Sequence, residues 1–221
     1  MRDITVPLAT DGMVVDTAAT MARDRGFTAL FRVEPNPLAA ASDKPVVTML
    51  ATRGRGEGVE GGADADEDED GGVEDARLLL VCSEDSKCRL TLATAALRQA
   101  TSLNAQQLVL IYSAEKTAIT PSAADLFRLA STTRGIRAQA FFSLELARPY
   151  VYHEDVPMHR LATPAILTRH RVSRSELGTM SVEDPVARWY NFCVDDIVVV
   201  FRSGLGTTAP SVRLDRIVPP L

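Results

Sequence analysis

The chain has 221 residues, a net charge of −5 and 46% hydrophobic residues, of which few are aromatic. That is room for one large domain or two small ones with an aliphatic core. No apolar run approaches the roughly 18 residues of a membrane helix; the five-residue run Ile197–Phe201 has strand length. The first twenty residues carry Asp3, Asp11 and Asp16 with no apolar block after a basic start, so no secretory signal is expected. Three cysteines (Cys82, Cys88, Cys193) fit a reducing compartment, and no C-x-x-C pair is present. The charge is unevenly spread. Residues 1–149 hold sixteen Lys and Arg and twenty-one Asp and Glu. Ten of those acids lie between Glu57 and Asp75, so the rest of this part is mildly basic. Residues 150–221 hold eight of each sign. A dedicated DNA binder is usually far more basic.

In chain order, Val14, Val15, Ala18, Met21 and Ala22 give a helical stripe over Asp11–Gly26, which Gly26 ends. Phe27–Val33 is a short apolar segment before Pro35 and Pro37. Pro45–Ala51 reads as a strand. The stretch 53–75 alternates glycine with acid and has no apolar periodicity, which predicts a disordered insert. Ala76–Cys82 and Gln107–Tyr112 are continuous apolar strands, and Ala138–Phe142 is a third candidate. Between them, Ser86–Leu103 places Leu90, Ala93, Leu97 and Ala100 on one helical face. Thr120-Pro121 opens a second helix, with Thr120 as the cap and Pro121 at the first helical position. Continuous apolar strands alternating with helices predict a mostly parallel sheet covered on both faces.

After Arg148-Pro149 the texture changes, and a domain boundary is expected near 147–152. Thr163–Ser175 is basic and reads as a helix. Asp184-Pro185 starts a short helix over Val186–Tyr190. Asp196–Arg202 and Val212–Val218 read as strands around a Gly-containing turn, giving the order helix, helix, strand, strand.

Catalytic signatures are missing. No Gly-rich turn of the phosphate-binding type follows either apolar strand, and there is no G-x-S-x-G elbow. His153 and His159 with Glu154 or Asp155 lack the tight paired spacing of zinc ligands. Cys82 and Cys193 read as buried small hydrophobes. Cys88, next to Lys87 near a helix start, is a minor candidate for a stabilised thiolate. Asp195-Asp196 reads as a turn or strand-edge charge, since neighbours on a strand face opposite ways.

Two stretches carry more. TAITPSAADLF and AFFSLELARPYVYHEDVPMH lie within 117–159, and EDPVARWYNFCVDDIVVVFR spans Glu183–Arg202. Together they resemble the common fifth subunit of the nuclear RNA polymerases, a family that extends to the archaeal enzyme. The echoes are the Thr120–Ala123 helix start, Glu145-Leu146 followed by His153–His159, and Asp184–Tyr190 leading to Arg202. Thr17–Phe27 resembles the family's opening helix. The resemblance implies an α/β N-terminal jaw domain with a mostly parallel sheet (1–149, with the insert 53–75) and a small α+β C-terminal assembly domain (150–221). It also implies no active site and no cofactor. The implied role is that of a non-catalytic subunit of polymerases I, II or III in the nucleus. It would anchor on the largest subunit, near other core subunits, and line the lower jaw by downstream double-stranded DNA without base readout.

On that reading Thr120, Pro121, Ser122 and Arg128 are DNA-proximal, with Arg134 and Arg137 adding charge. His153, Pro157, His159, Asp184, Pro185, Val186, Arg188, Tyr190 and Arg202 face partner subunits. A membrane role is not expected. Residues 203–210 depart from the family's wording, which leaves a second reading: a divergent paralogue serving as an adaptor outside the core polymerase.

Overall fold

The computed structural model describes residues 8–53, 76–114, 119–146, 158–162, 167–168, 171–202 and 211–220. The chain divides into two compact units, Met1–Ala147 and Arg148–Leu221.

The N-terminal unit is a five-stranded sheet in sequential order. Its strands are β1 (Ala29–Arg32), β2 (Val46–Thr52), β3 (Arg77–Ser83), β4 (Gln107–Tyr112) and β5 (Arg137–Phe142). The pairings β1–β2 and β2–β3 are antiparallel, and β3–β4 and β4–β5 are parallel. The sheet is therefore mixed, which corrects the expectation of a mostly parallel one. The reason is connection length. Thr52 pairs with Arg77, so β2 and β3 form a long-looped hairpin. Only β3–β4 and β4–β5 are spanned by helices, α2 (Leu90–Ser102) and α3 (Pro121–Arg134), which a parallel crossover needs.

Both crossovers step in the same direction, so right-handedness puts both helices on one face. Leu79 and Val81 of β3 join Leu108, Leu110 and Tyr112 of β4 there, packed with Leu92, Ala96 and Leu97 of α2 and Ala123 and Phe127 of α3. The opposite face of the same strands presents Leu78, Leu80, Val109, Ile111 and Phe141, all fully buried. Helix α1 (Gly12–Asp24) buries Val14, Ala18, Met21 and Ala22, and Arg25 just past its end reaches the Gln107 and Gln139 side chains of this second face. The short α4 (Ser143–Leu146) packs against α1 and β5. The expected two-sided cover is thus present. At about 1.5–3 kcal/mol for each large aliphatic side chain buried, this core dominates the unit's folding.

Helix boundaries follow local chemistry. α1 stops because Gly26 takes a left-handed φ of 84° and the Phe27 N–H returns to the Ala22 carbonyl at 3.0 Å. A Cβ at Gly26 would also press on the Arg53 guanidinium. α2 begins at Leu90, later than expected, because Cys88 forms a bridge with Ile119 instead of a helical turn.

The C-terminal unit holds β6 (Met158–Leu161), β7 (Gly178–Ser181), α5 (Pro185–Tyr190), β8 (Ile197–Arg202) and β9 (Ser211–Val218). The sheet order is β6-β8-β9-β7. β6–β8 and β8–β9 are antiparallel; β7–β9 is parallel. This corrects the expected order of helix, helix, strand, strand, which missed β6 and β7. Each is four residues long, too short for a periodic pattern to register. The basic helix expected over Thr163–Ser175 also does not run through. Arg171 is left-handed, and the N–H groups of Arg171 and Val172 return to Thr168 and Leu167, a Schellman stop. A 3-10 turn over Arg174–Glu176 follows. Among the described residues no helix is long and apolar enough to cross a membrane.

Candidate subunit interface

The best-defined feature of the C-terminal unit is α5. Its sequence writes both ends. The Asp184 carboxylate accepts from the Val186 N–H at 2.8 Å, and Pro185 sits at the first helical position, where no donor is lost. At the other end Asn191 is left-handed (φ 59°), and the Phe192 N–H bonds to the Ala187 carbonyl at 2.9 Å. Asn tolerates that conformation better than most residues. Two caps around six residues hold a helix that would not persist alone. Ala187 and Trp189 face inward, Trp189 almost completely buried. Ala187 joins Val198, Val200 and Ile217, with Met180, Val182 and Phe192 at the margin. Val186, Arg188 and Tyr190 are half-buried on the remaining face. The Tyr190 ring stacks on Phe192, centroids 5.4 Å apart and planes 14° from parallel. The aromatic tip of the helix is thereby fixed.

The sheet beneath has a polar centre. Asp215 on β9 is fully buried, opposite Val198 of β8 and Gly178 of β7. Its Oδ2 accepts from the half-exposed Arg213 guanidinium, and its Oδ1 has no hydrogen-bond partner among the described residues. A Cβ at Gly178 would collide with that Oδ1, so the glycine makes room for the carboxylate. Nearby, Cys193–Asp196 forms a turn. Asp196 Oδ2 accepts from the Cys193 N–H at 2.6 Å, and Asp195 is left-handed (φ 72°). The adjacent acids therefore act as turn groups, as the sequence implied.

The remaining residues singled out in the sequence fall as follows. His153 and Pro157 lie outside the described residues, as does most of the insert 53–75. His159 is on β6, its backbone opposite Val200, and Arg202 ends β8 opposite Ser211. β6 and β8 are adjacent, so the structure brings His159 and Arg202 to one side of the sheet order. In the N-terminal unit Thr120 precedes α3, but its hydroxyl makes no cap. It donates to the Cys88 carbonyl at 3.2 Å, which corrects its expected capping role. The Cys88–Ile119 bridge draws the hydroxyl toward that carbonyl. Pro121 is at the first helical position, as expected, and Ser122 is exposed in the first turn. Arg128 pairs with Asp125 at 2.8 Å in the open. Arg134 and Arg137 lie at and beyond the other end of α3, a helix length of about 20 Å from Thr120. Thr120, Pro121, Ser122 and Arg128 thus share the first half of α3 and its cap, whereas Arg134 and Arg137 lie at the other end.

Burial pushes the Cys82 and Cys88 thiols up to about 12. That overturns the stabilised thiolate considered for Cys88: desolvation outweighs the helix start and Lys87. Glu176 is held below its ordinary value by accepting from the Ser173 backbone and hydroxyl. Among the described residues no group of three His, Cys, Asp or Glu is placed to hold a metal. Sequence reasoning missed Asp215, Gly178 and the Tyr190–Phe192 stack. Val212 and Leu214 draw the eye to the wrong face of β9, where Asp215 and Ile217 are the buried pair.

The family match falls on this same unit. Residues 150–217 match the family model described as RNA polymerase Rpb5, C-terminal domain. The chain is also similar to the protein named DNA-directed RNA polymerases I, II, and III subunit rpabc1 from Dictyostelium discoideum, 32% identical over 88 residues. That alignment covers 38% of this chain, and the chain spans about half, 45%, of the relative's length. The resemblance carried by Asp184–Tyr190 and its surroundings is borne out: residues 150–217 are similar throughout to an Rpb5 C-terminal domain.

Proposed function

We propose that this protein is a non-catalytic subunit of a nuclear DNA-directed RNA polymerase. The observation that carries the reading is the match of residues 150–217 to the Rpb5 C-terminal domain, centred on a helix capped at both ends. In this reading the C-terminal unit anchors on the largest subunit. Val186, Arg188 and Tyr190 of α5 and the β6–β8 side with His159 and Arg202 form the contact. Asp184 and Pro185 act indirectly, by fixing α5. The N-terminal unit is the jaw domain and lies near downstream double-stranded DNA, with Thr120, Pro121, Ser122 and Arg128 toward it. Any attraction there is sequence-independent and weakens with salt. Helix N-termini favour phosphate, and α3 presents one with no side-chain cap.

The test is a tagged pull-down at moderately high salt with partner identification, comparing wild type with Arg188→Ala/Tyr190→Ala. Recovery of the two largest polymerase subunits by wild type and their loss by a variant that keeps native Trp189 fluorescence supports docking through α5. The largest subunits recovered also tell whether polymerase I, II or III uses the protein. Recovery of other partners without polymerase subunits overturns the reading in favour of an adaptor outside the core enzyme.

A further inference from the structure

Three residues of the C-terminal sheet depart together from what a strand interior favours. Asp215, within β9, is fully buried. Gly178 of β7 is its register partner, and Arg213 lies two residues before it, on the same face of β9. Aspartate and glycine are both depleted in strands. A buried carboxylate with a single ionic partner adds little stability, because the cost of desolvation offsets the attraction. An apolar side chain at 215 would serve the core as well or better. What the arrangement does produce is a fixed position for Arg213.

The Arg213 guanidinium donates to Asp215 Oδ2 and lies beside the Gly178 backbone, its Nε 3.6 Å from where a Cβ would stand. Its side chain nevertheless stays 54% exposed. A guanidinium carries several N–H donors in one rigid plane. One nitrogen is engaged with Asp215, and among the described residues the others meet no acceptor. A side chain already held by one bond loses less rotamer freedom when a partner takes up the rest. Register fixes the face. Arg213 pairs with Val200 and Asp215 with Val198, and Ala187 of α5 packs with Val198, Val200 and Ile217. Arg213 is therefore on the α5 side of the sheet. Asp215 cancels most of its long-range field, which leaves short-range forked hydrogen bonding, the geometry that a carboxylate matches with both oxygens.

We infer that Arg213, aimed by Asp215 and given room by Gly178, is a contact residue for a carboxylate side chain of the protein that covers α5. Asp215 and Gly178 are positioning residues and act through the arginine. That the covering protein is the largest polymerase subunit rests on the function proposed above; the chemistry of the contact does not.

The experiment uses the full chain in the same pull-down and follows the loss of the largest polymerase subunit from the beads with time. Arg213→Gln should speed that loss about tenfold, and Arg213→Lys should not restore it, because an ammonium lacks the planar fork. Capture during a short exposure should change less than about twofold, since the pair carries no net charge to steer encounter. Asp215→Val should speed the loss about fivefold while leaving the denaturation midpoint unchanged or raised, a combination that a merely structural aspartate would not give. The double variant Arg213→Gln/Asp215→Val, which leaves no carboxylate buried without its partner, should behave as Arg213→Gln alone. Arg216→Gln, on the opposite face of β9, should dissociate as wild type does. On the isolated chain in low salt, the side-chain Nε–Hε NMR signal of Arg213 should move when a hexaglutamate peptide is added, and Asp215→Val should abolish the movement. An unmoved Arg213 signal, or equal acceleration by Arg213→Gln and Arg216→Gln, would overturn the inference. If wild type recovers no polymerase subunit, the polymerase reading fails, and the peptide titration still decides the role of Arg213.

Discussion

The two units are built on different terms. The N-terminal unit buries long aliphatic strands under helices on two faces. The C-terminal unit has a thin apolar centre of Ala187, Val198, Val200 and Ile217, and sets a fully buried carboxylate, Asp215, in the same sheet. Its helix depends on caps. The first unit tolerates local change because many contacts share the load. The second concentrates its structure in a few residues, and the family match at 150–217 falls there.

Four expected outcomes sharpen that contrast or break it. The largest concerns Trp189, almost fully buried in the smaller unit. Trp189→Ala should destabilise the C-terminal unit by about 3–5 kcal/mol, enough to unfold a small domain. Hydrogen exchange should show β7–β9 unprotected while β3–β5 stay protected. Loss of protection in both would show that the units do not fold separately. Second, Gly178→Ala should cost about 1–3 kcal/mol by denaturant titration, from overpacking against Asp215. Adding Asp215→Ala should recover part of that loss, a coupling that independent sites would not show. Third, Asp184→Ala removes the cap of α5 and should cost about 1 kcal/mol in the same titration. Thr120→Val should cost less, since its hydroxyl makes a single bond to Cys88 and caps nothing.

The smallest effect is at neutral pH. Cys82 and Cys88 have native values of about 12 against an ordinary 9.0. A raised value means the folded state keeps its protons longer. The contribution is therefore fully present below about pH 9 and is lost as pH climbs toward 12. Both thiols should resist a thiol reagent at about pH 8 in the native protein, and stability should fall in that alkaline window. Fast labelling of Cys88 under those conditions would restore the thiolate idea.

What was legible in the sequence follows the same division. β3, β4 and β5 lie within a residue or so of the apolar runs, because buried strands advertise themselves by continuity. Pro121 and the Asp184-Pro185 start were readable because proline and a capping carboxylate have few other uses. β6 and β7 were not readable. Four residues leave no period, and β7 is a strand because β9 lies beside it, not because of Gly178-Thr179-Met180-Ser181. The antiparallel turn from β2 into β3 was hidden for a related reason: strand composition does not reveal direction. For the candidate interface, motif wording picked out α5, while the Asp215–Gly178 pairing needed three-dimensional register.

The strand order β6-β8-β9-β7 also sets a sequence of events in time. β6 and β7 emerge first but have no mutual contact in the sheet. β8 and β9 are sequential and antiparallel, so they can pair early as a local hairpin. β7 can join only after β9 is in place, because β9 is its one sheet neighbour. During synthesis the residues of α5 are therefore made before β9, and six residues do not hold a helix on their own. A nascent chain stopped before Ser211 would lack Ile217, and would leave the apolar side chains of Ala187, Val198 and Val200 without it, open to any chaperone that reads apolar surface.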